Sequence, residues 1–304
     1  MITATLIDEV HVGNQLGEGI QWNALDNAVW WTDILSSALY RYDPKASSVV
    51  KYDMPEPLGS FAFCEKGQDL VAAFASGFAS LDPSTGEISW IERPDFLDGE
   101  GRFNDGRADR QGRFWSGTMM ANPGDGAPAT GRLFCLDHDL KSSVHENGVN
   151  ISNGICWNPS GNRMYFADSL KGEIVQYDFD ASAGTLSNRR VFARSPEGAS
   201  PDGAAVDAAG NVWSAQWGIG KVFAYDPSGQ LIFDLDVPAS QPTCVAFGGP
   251  KLDTLYVSTA RDGLSEDTLA EEPSAGNVFA YKTSVQGLPE SRFSGDSASL
   301  KREE

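Results

Sequence analysis

Arg102-Phe103-Asn104-Asp105-Gly106-Arg107-Ala108-Asp109-Arg110-Gln111-Gly112-Arg113-Phe114-Trp115-Ser116-Gly117-Thr118 sets the pattern for the rest of the chain. It has a polar head ending at Gly106, a turn at Asp109–Gly112 and a strand-like run from Arg113 to Gly117. The same phrase recurs. Ser152-Asn153-Gly154 leads through Asn158-Pro159-Ser160-Gly161-Asn162 into Arg163-Met164-Tyr165-Phe166-Ala167-Asp168. Pro201-Asp202-Gly203 leads through Asp207–Gly210 into Asn211-Val212-Trp213-Ser214-Ala215, and Gly17-Glu18-Gly19 leads through Asn23–Asn27 into Ala28-Val29-Trp30-Trp31-Thr32-Asp33. Each copy sets one oxygen-bearing side chain at the same point of the repeat: Glu18, Asn104, Asn153 and Asp202.

A fixed repeat decides a fold before any local propensity does. The strand after each turn reads Val29-Trp30-Trp31, Leu70-Val71-Ala72, Arg113-Phe114-Trp115, Arg163-Met164-Tyr165, Asn211-Val212-Trp213 and Thr254-Leu255-Tyr256. These copies stand about 40–50 residues apart, the length of a four-stranded propeller blade. A third strand follows in each, ending in Asp five times (Tyr42-Asp43, Leu81-Asp82, Leu136-Asp137, Tyr177-Asp178, Tyr225-Asp226) and in Tyr281 in the sixth. Alternating apolar residues bounded by Gly, Pro and Asp are what half-buried antiparallel strands require. The reading is an all-β, six-bladed β-propeller in which the N-terminal strand Ala4–Val10 closes the last blade. Residues 1–286 are expected to form one domain and 287–304 a polar, frayed C-terminal tail. One helical turn is expected after Ser265, which can cap it.

Composition limits the function. The 304 residues carry 23 basic and 42 acidic side chains, a net charge of −19. That disfavours nucleic-acid and anionic-membrane partners, which require positive potential. No obligate protein partner is signalled either. Cys64, Cys135, Cys156 and Cys244 are widely spaced, so neither a zinc knuckle nor a disulfide framework is indicated. No basic segment followed by an apolar run opens the chain, and no stretch approaches the roughly 20 apolar residues that cross a bilayer. A cytoplasmic location is expected.

In a propeller, the innermost strand of each blade starts near one mouth of the central channel, so the four recurring oxygens converge there. Two carboxylates and two amide oxygens suit a hard divalent cation such as Ca²⁺, Mg²⁺ or Mn²⁺, with no special preference for zinc. Arg102 directs its guanidinium to the same mouth, where it can hold a substrate oxygen. Taken singly, Asn-Gly, Asp-Gly and Glu-Gly are ordinary turn chemistry. Asp33, Asp168 and the strand-closing aspartates read as turn-forming. His11, His138 and His145 share no spacing, Gly-x-Ser-x-Gly is absent, and Gly218-Ile219-Gly220 reads as a hairpin turn.

Gly17-Glu18-Gly19, Arg102-Phe103-Asn104-Asp105-Gly106, Ser152-Asn153-Gly154 and Pro201-Asp202-Gly203 resemble, in the same order, the motifs of the regucalcin/gluconolactonase (senescence marker protein-like) family of six-bladed propellers. The likeness spans roughly Gln15–Tyr281, and Thr259-Ala260-Arg261-Asp262-Gly263-Leu264-Ser265 looks like that family's bacterial sugar-lactonase branch. The resemblance implies that Glu18, Asn153 and Asp202 bind one divalent metal ion, Ca²⁺ first and Zn²⁺, Mn²⁺, Mg²⁺ or Fe²⁺ as alternatives. It implies that Asp202 also accepts a proton, that Arg102 and Asn104 bind substrate, and that the reaction is hydrolysis of a sugar lactone such as glucono-, galactono-, arabinono- or xylonolactone. A propeller esterase or phosphotriesterase and a non-catalytic calcium-binding protein are the alternatives. The chain departs from the family at Met120-Ala121-Asn122-Pro123, where animal relatives carry an acidic residue that touches substrate. Asn122–Pro128 reads as a mobile loop overhanging the mouth.

Overall fold

The structure is a computed structural model that describes residues 1–94, 101–120 and 128–295. Six four-stranded antiparallel sheets are arranged as a β-propeller. The innermost strands are Gly17–Asn23, Leu58–Phe63, Gly101–Ala108, Ser152–Trp157, Ser200–Val206 and Pro242–Gly248. Each touches the innermost strand of the next blade, and the last touches the first, so the ring closes. Five blades run outward in chain order. The sixth is completed by Ala4–Val10, paired antiparallel with Val278–Thr283, as the sequence leads one to expect. This strand forms the outer edge of the sixth blade and ties the N-terminal segment to the last blade.

Burial falls from the axis outward, which explains why the second strand of each copy is the apolar one. Ala28–Asp33 is buried at every residue, whereas nearly all of Ser48–Asp53, the outer strand of the same blade, is exposed. The core lies between blades. Trp115 meets the edges of Trp157 and Phe179 of the next blade, Trp213 meets the edge of Phe247, and within the first blade Trp31 stacks on Tyr40 with ring centroids 5.2 Å apart. Such offset and edge-on pairs add about 0.5–1.5 kcal/mol each beyond the area they bury. The four cysteines are buried and unbridged. Ser265 caps the helix Glu266–Glu271 by accepting from the Thr268 N–H, and Gly218-Ile219-Gly220 is a hairpin turn between Val212–Trp217 and Lys221–Tyr225. Among the described residues no helix is long and apolar enough to cross a membrane.

The expected fraying after Gln286 does not occur over residues 287–295. This segment runs across the end of the channel where the innermost strands finish. Gly287 bridges Asp207, and Phe293 bridges Cys64 in parallel register. Phe293 is fully buried among Phe114, Phe134 and Leu136, and its N–H donates to the Phe63 carbonyl at 2.8 Å. Glu290 reaches Arg107 at 3.3 Å with both side chains nearly buried. A single well-placed apolar residue thus docks a segment whose composition is polar. Phe293→Ala is expected to destabilise the protein by about 3 kcal/mol, the low end for a buried Phe truncation. Denaturant unfolding measures it, and an effect below about 1 kcal/mol would show that the segment does not hold the barrel end.

Candidate active site

Every innermost strand breaks register near its start. The shifts fall between Glu18 and Gln21, Leu58 and Ser60, Phe103 and Gly106, Asn153 and Cys156, Pro201 and Ala204, and Pro242 and Cys244. A bulge re-aims a side chain out of the pleat, and here each one turns a residue toward the axis. The X-Gly pairs read as turn chemistry are therefore bulges inside strands, and the glycines after Asn153 and Asp202 each have a steric reason. Gly154 takes φ +63°, a left-handed conformation that favours Gly. Gly203 has an ordinary φ, but a Cβ there would stand 2.4 Å from Cys244 Sγ of the next blade.

The bulges bring Glu18, Arg102, Asn104, Asn153 and Asp202 to one pocket of about 260 Å³, with Met119, Trp217 and Asp262 also in its wall. The volume is of the order of a small-molecule site. Two of the six copies contribute no oxygen of this kind: Gly59 and Thr243 occupy the bulges of the second and sixth blades, and Thr243 donates to the Gly17 carbonyl. The donors accordingly crowd one side of the axis.

Asn104 organises that side. Its Nδ2 donates to the Ser152 carbonyl at 2.9 Å and to Asn153 Oδ1 at 3.0 Å, while its Oδ1 accepts from Arg102 Nη1. Asn153 Nδ2 donates to Ser169 Oγ at 2.8 Å, and Ser169 Oγ donates to the Pro201 carbonyl at 2.8 Å, one residue before Asp202. The chain of bonds fixes the amide of Asn153 with its oxygen toward the pocket. The entries to these strands are held by the aspartates read as turn-forming. Asp33 accepts from the N–H groups of Gln15 and Leu16, and Asp168 from those of Asn150 and Ile151. Each anchors the approach to its own blade's innermost strand, a role that a local sequence pattern does not reveal.

Glu18 and Asp202 lie within hydrogen-bonding reach of each other, both buried. Burial pushes Glu18 up to about 8, with the nearby Asp105 charge adding to it. Burial and the Glu18 charge hold Asp202 well above the usual carboxylate range. Arg102 falls to about 10 through burial, against the pull of Glu18, Asp262 and Asp202. Asp105 was not singled out by its position in the repeat. It is buried, its Oδ2 accepts from the Ile155 N–H at 2.9 Å, and burial raises it too. Among the described residues no three His, Cys, Asp or Glu side chains form a metal cluster by themselves. The set offered is two carboxylates plus a fixed amide oxygen, which suits a hard divalent ion, and a 2+ charge between Glu18 and Asp202 would stabilise their ionised forms against the burial and mutual repulsion that raise their proton affinity.

A family model described as SMP-30/Gluconolactonase/LRE-like region matches residues 16–261, which include all of these side chains except Asp262. The chain belongs to this family. The SMP-30/gluconolactonase match extends over about four-fifths of the chain. The chain is 38% identical to the 6-deoxy-6-sulfogluconolactonase of Pseudomonas putida over 92% of its length and 95% of that protein. It is 37% identical to the L-arabinolactonase of Azospirillum brasilense over 96% of both. Regucalcin of Agrobacterium tumefaciens, described as a calcium-binding protein, superposes with a TM-score of 0.90 at 27% identity, covering 95% of this chain and 98% of that one. The loop expected at Asn122–Pro128 falls mostly within 121–127, outside the described residues.

Proposed function

We propose that this protein is a lactonase that opens a small sugar lactone to its aldonic acid, with one divalent ion, Ca²⁺ in first place, held by Glu18, Asn153 and Asp202. The observation that carries the reading is the convergence of two neighbouring buried carboxylates and an oriented amide oxygen in the wall of one pocket of about 260 Å³. The sugar-lactonase names of full-length relatives and the calcium-binding description of a structural neighbour support it.

A bound ion would supply Lewis-acid polarisation of the lactone carbonyl. The chain's own groups do the rest. Asp202 accepts a proton from the attacking water as its oxygen bonds to the carbonyl carbon, and the proton then passes to the ring oxygen when the carbon–oxygen bond breaks. Arg102 keeps N–H groups for a sugar oxygen beyond those given to Asn104 and the Phe103 carbonyl, and Asn104 keeps one lone pair on its Oδ1. Met119, Leu16 and Trp217 supply apolar wall, which limits water around the reacting carbonyl and strengthens the polar contacts beside it.

The test is acid release from glucono-, galactono-, arabinono- and xylonolactone, with metal-stripped protein and with Ca²⁺, Mn²⁺, Mg²⁺ or Zn²⁺ restored. At least one lactone should be opened well above its spontaneous rate, with activity lost on chelation and regained with an ion. No ion-dependent rate on any lactone would overturn the proposal.

A further inference from the structure

Ser169 joins two neighbouring blades at the pocket. It follows Asp168, the last residue of the strand Arg163–Asp168, and opens the single turn Ser169–Lys171, which ends at Gly172 with φ +61°. Its N–H donates to the Ile151 carbonyl at 3.1 Å, and its own carbonyl accepts from the Gly172 N–H at 3.1 Å, so its main chain is fixed to the entry of the strand that carries Asn153. The side chain is buried in the pocket wall. Its Oγ makes one bond of 2.8 Å to each of two blades: it accepts from Asn153 Nδ2 of the fourth and donates to the Pro201 carbonyl of the fifth.

The direction of these bonds is forced. A backbone carbonyl has no hydrogen to give, and a serine hydroxyl has one. Ser169 directs that hydrogen at Pro201, so toward Asn153 it can only accept, and it must meet the NH₂ end of the amide. At the other end of the relay stands Arg102, which has donors alone. It fixes Asn104 Oδ1, and Asn104 Nδ2 then meets Asn153 Oδ1 at 3.0 Å. Asn153 is thus held at its oxygen by Asn104 and at its nitrogen by Ser169, and Oδ1 keeps one lone pair beyond the bond from Asn104. Without the hydroxyl, Nδ2 would lose its acceptor in a buried site, and the amide could pivot about its oxygen end. The Pro201 carbonyl, one residue before Asp202 and at the start of the register shift between Pro201 and Ala204, would lose this bond to the fourth blade.

Resting on the ion site proposed above, we propose that Ser169 is a positioning residue that sets Asn153 and Asp202 for the divalent ion before the ion binds. One hydroxyl thereby couples two of the three proposed ligands, which come from different blades. Groups that orient a metal ligand in this way account for about 10–100-fold in ion affinity or activity.

The test is calorimetric titration of the metal-stripped full-length protein with Ca²⁺ and with Mn²⁺, on the native chain and on Ser169→Ala, Ser169→Thr and Thr283→Val. Thr283 carries a hydroxyl of similar burial, bonded to the Asp253 and Val285 carbonyls outside the pocket wall, so its removal measures the effect of losing a buried hydroxyl alone. Ser169→Ala should keep its native circular dichroism and bind the ion about tenfold or more weakly. Ser169→Thr, which retains the hydroxyl, should bind nearly as the native chain does, and Thr283→Val should match it. On any lactone that is opened, the deficit of Ser169→Ala should shrink as the ion is raised. Unchanged affinity in Ser169→Ala, an equal loss in Thr283→Val, or a loss in Ser169→Thr as large as in Ser169→Ala would overturn the proposal. A native protein that binds neither ion would overturn it together with the ion site. An ion bound without lactone hydrolysis would remove the activity reading alone, and the affinity comparison would still decide the role of Ser169.

Discussion

Asp202→Asn should stay folded and bind a divalent ion more weakly, while losing on the order of 10²–10⁴-fold in kcat even when the ion is saturating. The substitution keeps the side chain's size and one oxygen, so the bulge between Pro201 and Ala204 and the bond from the Gly203 N–H to Oδ1 can persist. Two things are removed: a negative charge beside Glu18, and the carboxylate basicity with which Asp202 takes a proton from water. The two losses separate experimentally. A lost charge weakens ion binding and is recovered by adding ion. A lost base lowers kcat at any ion concentration. Circular dichroism and direct ion titration establish that the variant is folded and loaded. Initial rates at saturating lactone then give the base contribution. If activity returns to within about threefold of the native protein once the ion is saturating, Asp202 serves only as a ligand, and proton acceptance passes to a different group, of which Glu18 is the nearest carboxylate.

The propeller was legible in the sequence because its information is repeated. Six copies of a turn followed by an apolar strand, and a spare strand at Ala4–Val10, leave few other arrangements, and the observed sheets follow that count. The convergence of Glu18, Asn104, Asn153 and Asp202 on one pocket was legible for the same reason: they occupy one point of the repeat, and equivalent points in a closed ring face one axis. What escaped is what the repeat does not encode. Asp105 follows Asn104 within a bulge, so both residues face inward where strict alternation would send one out. Asp262 reaches the pocket from a loop whose place depends on bonds to Gln15, more than 240 residues earlier in the chain. The segment after Gln286 looked frayed because composition averages over residues, whereas one buried Phe293 and one nearly buried pair, Glu290 with Arg107, suffice to dock it.

Asp109→Ala should destabilise the protein by about 4–6 kcal/mol, far more than its place in a surface turn would suggest. Asp109 is fully buried. Its Oδ1 accepts from the N–H groups of Gln111 and Arg113 at 2.8 and 3.0 Å, holding the turn that closes at Gly112, which has φ +86°. Its Oδ2 accepts from Trp115 Nε1 at 3.0 Å and from Arg113 Nη1 at 3.3 Å. Removing the carboxylate leaves the indole N–H of a fully buried Trp without its acceptor, at about 1–3 kcal/mol. It also deprives a nearly buried guanidinium of its closest counter-charge, leaving Asp137 at 3.6 Å and two backbone carbonyls. The two turn N–H groups lose their acceptor as well, though water can partly replace it there. Unfolding entropy of about 2.1 cal/mol/K per residue over a chain of this length converts 4–6 kcal/mol into a fall in Tm of about 6–10 °C. The fifth blade supplies an internal replicate. Asp207 accepts in the same way from the Ala209 and Asn211 N–H groups and from Trp213 Nε1, with the neutral Asn211 Nδ2 donating to its Oδ2 at 2.8 Å where Asp109 has an arginine. Asp207→Ala should therefore cost less than Asp109→Ala by the share due to Arg113, about 1–2 kcal/mol. Calorimetry on the two variants measures that difference, and equal losses would mean that the Asp–Trp–turn unit, and not the ion pair, carries the whole effect.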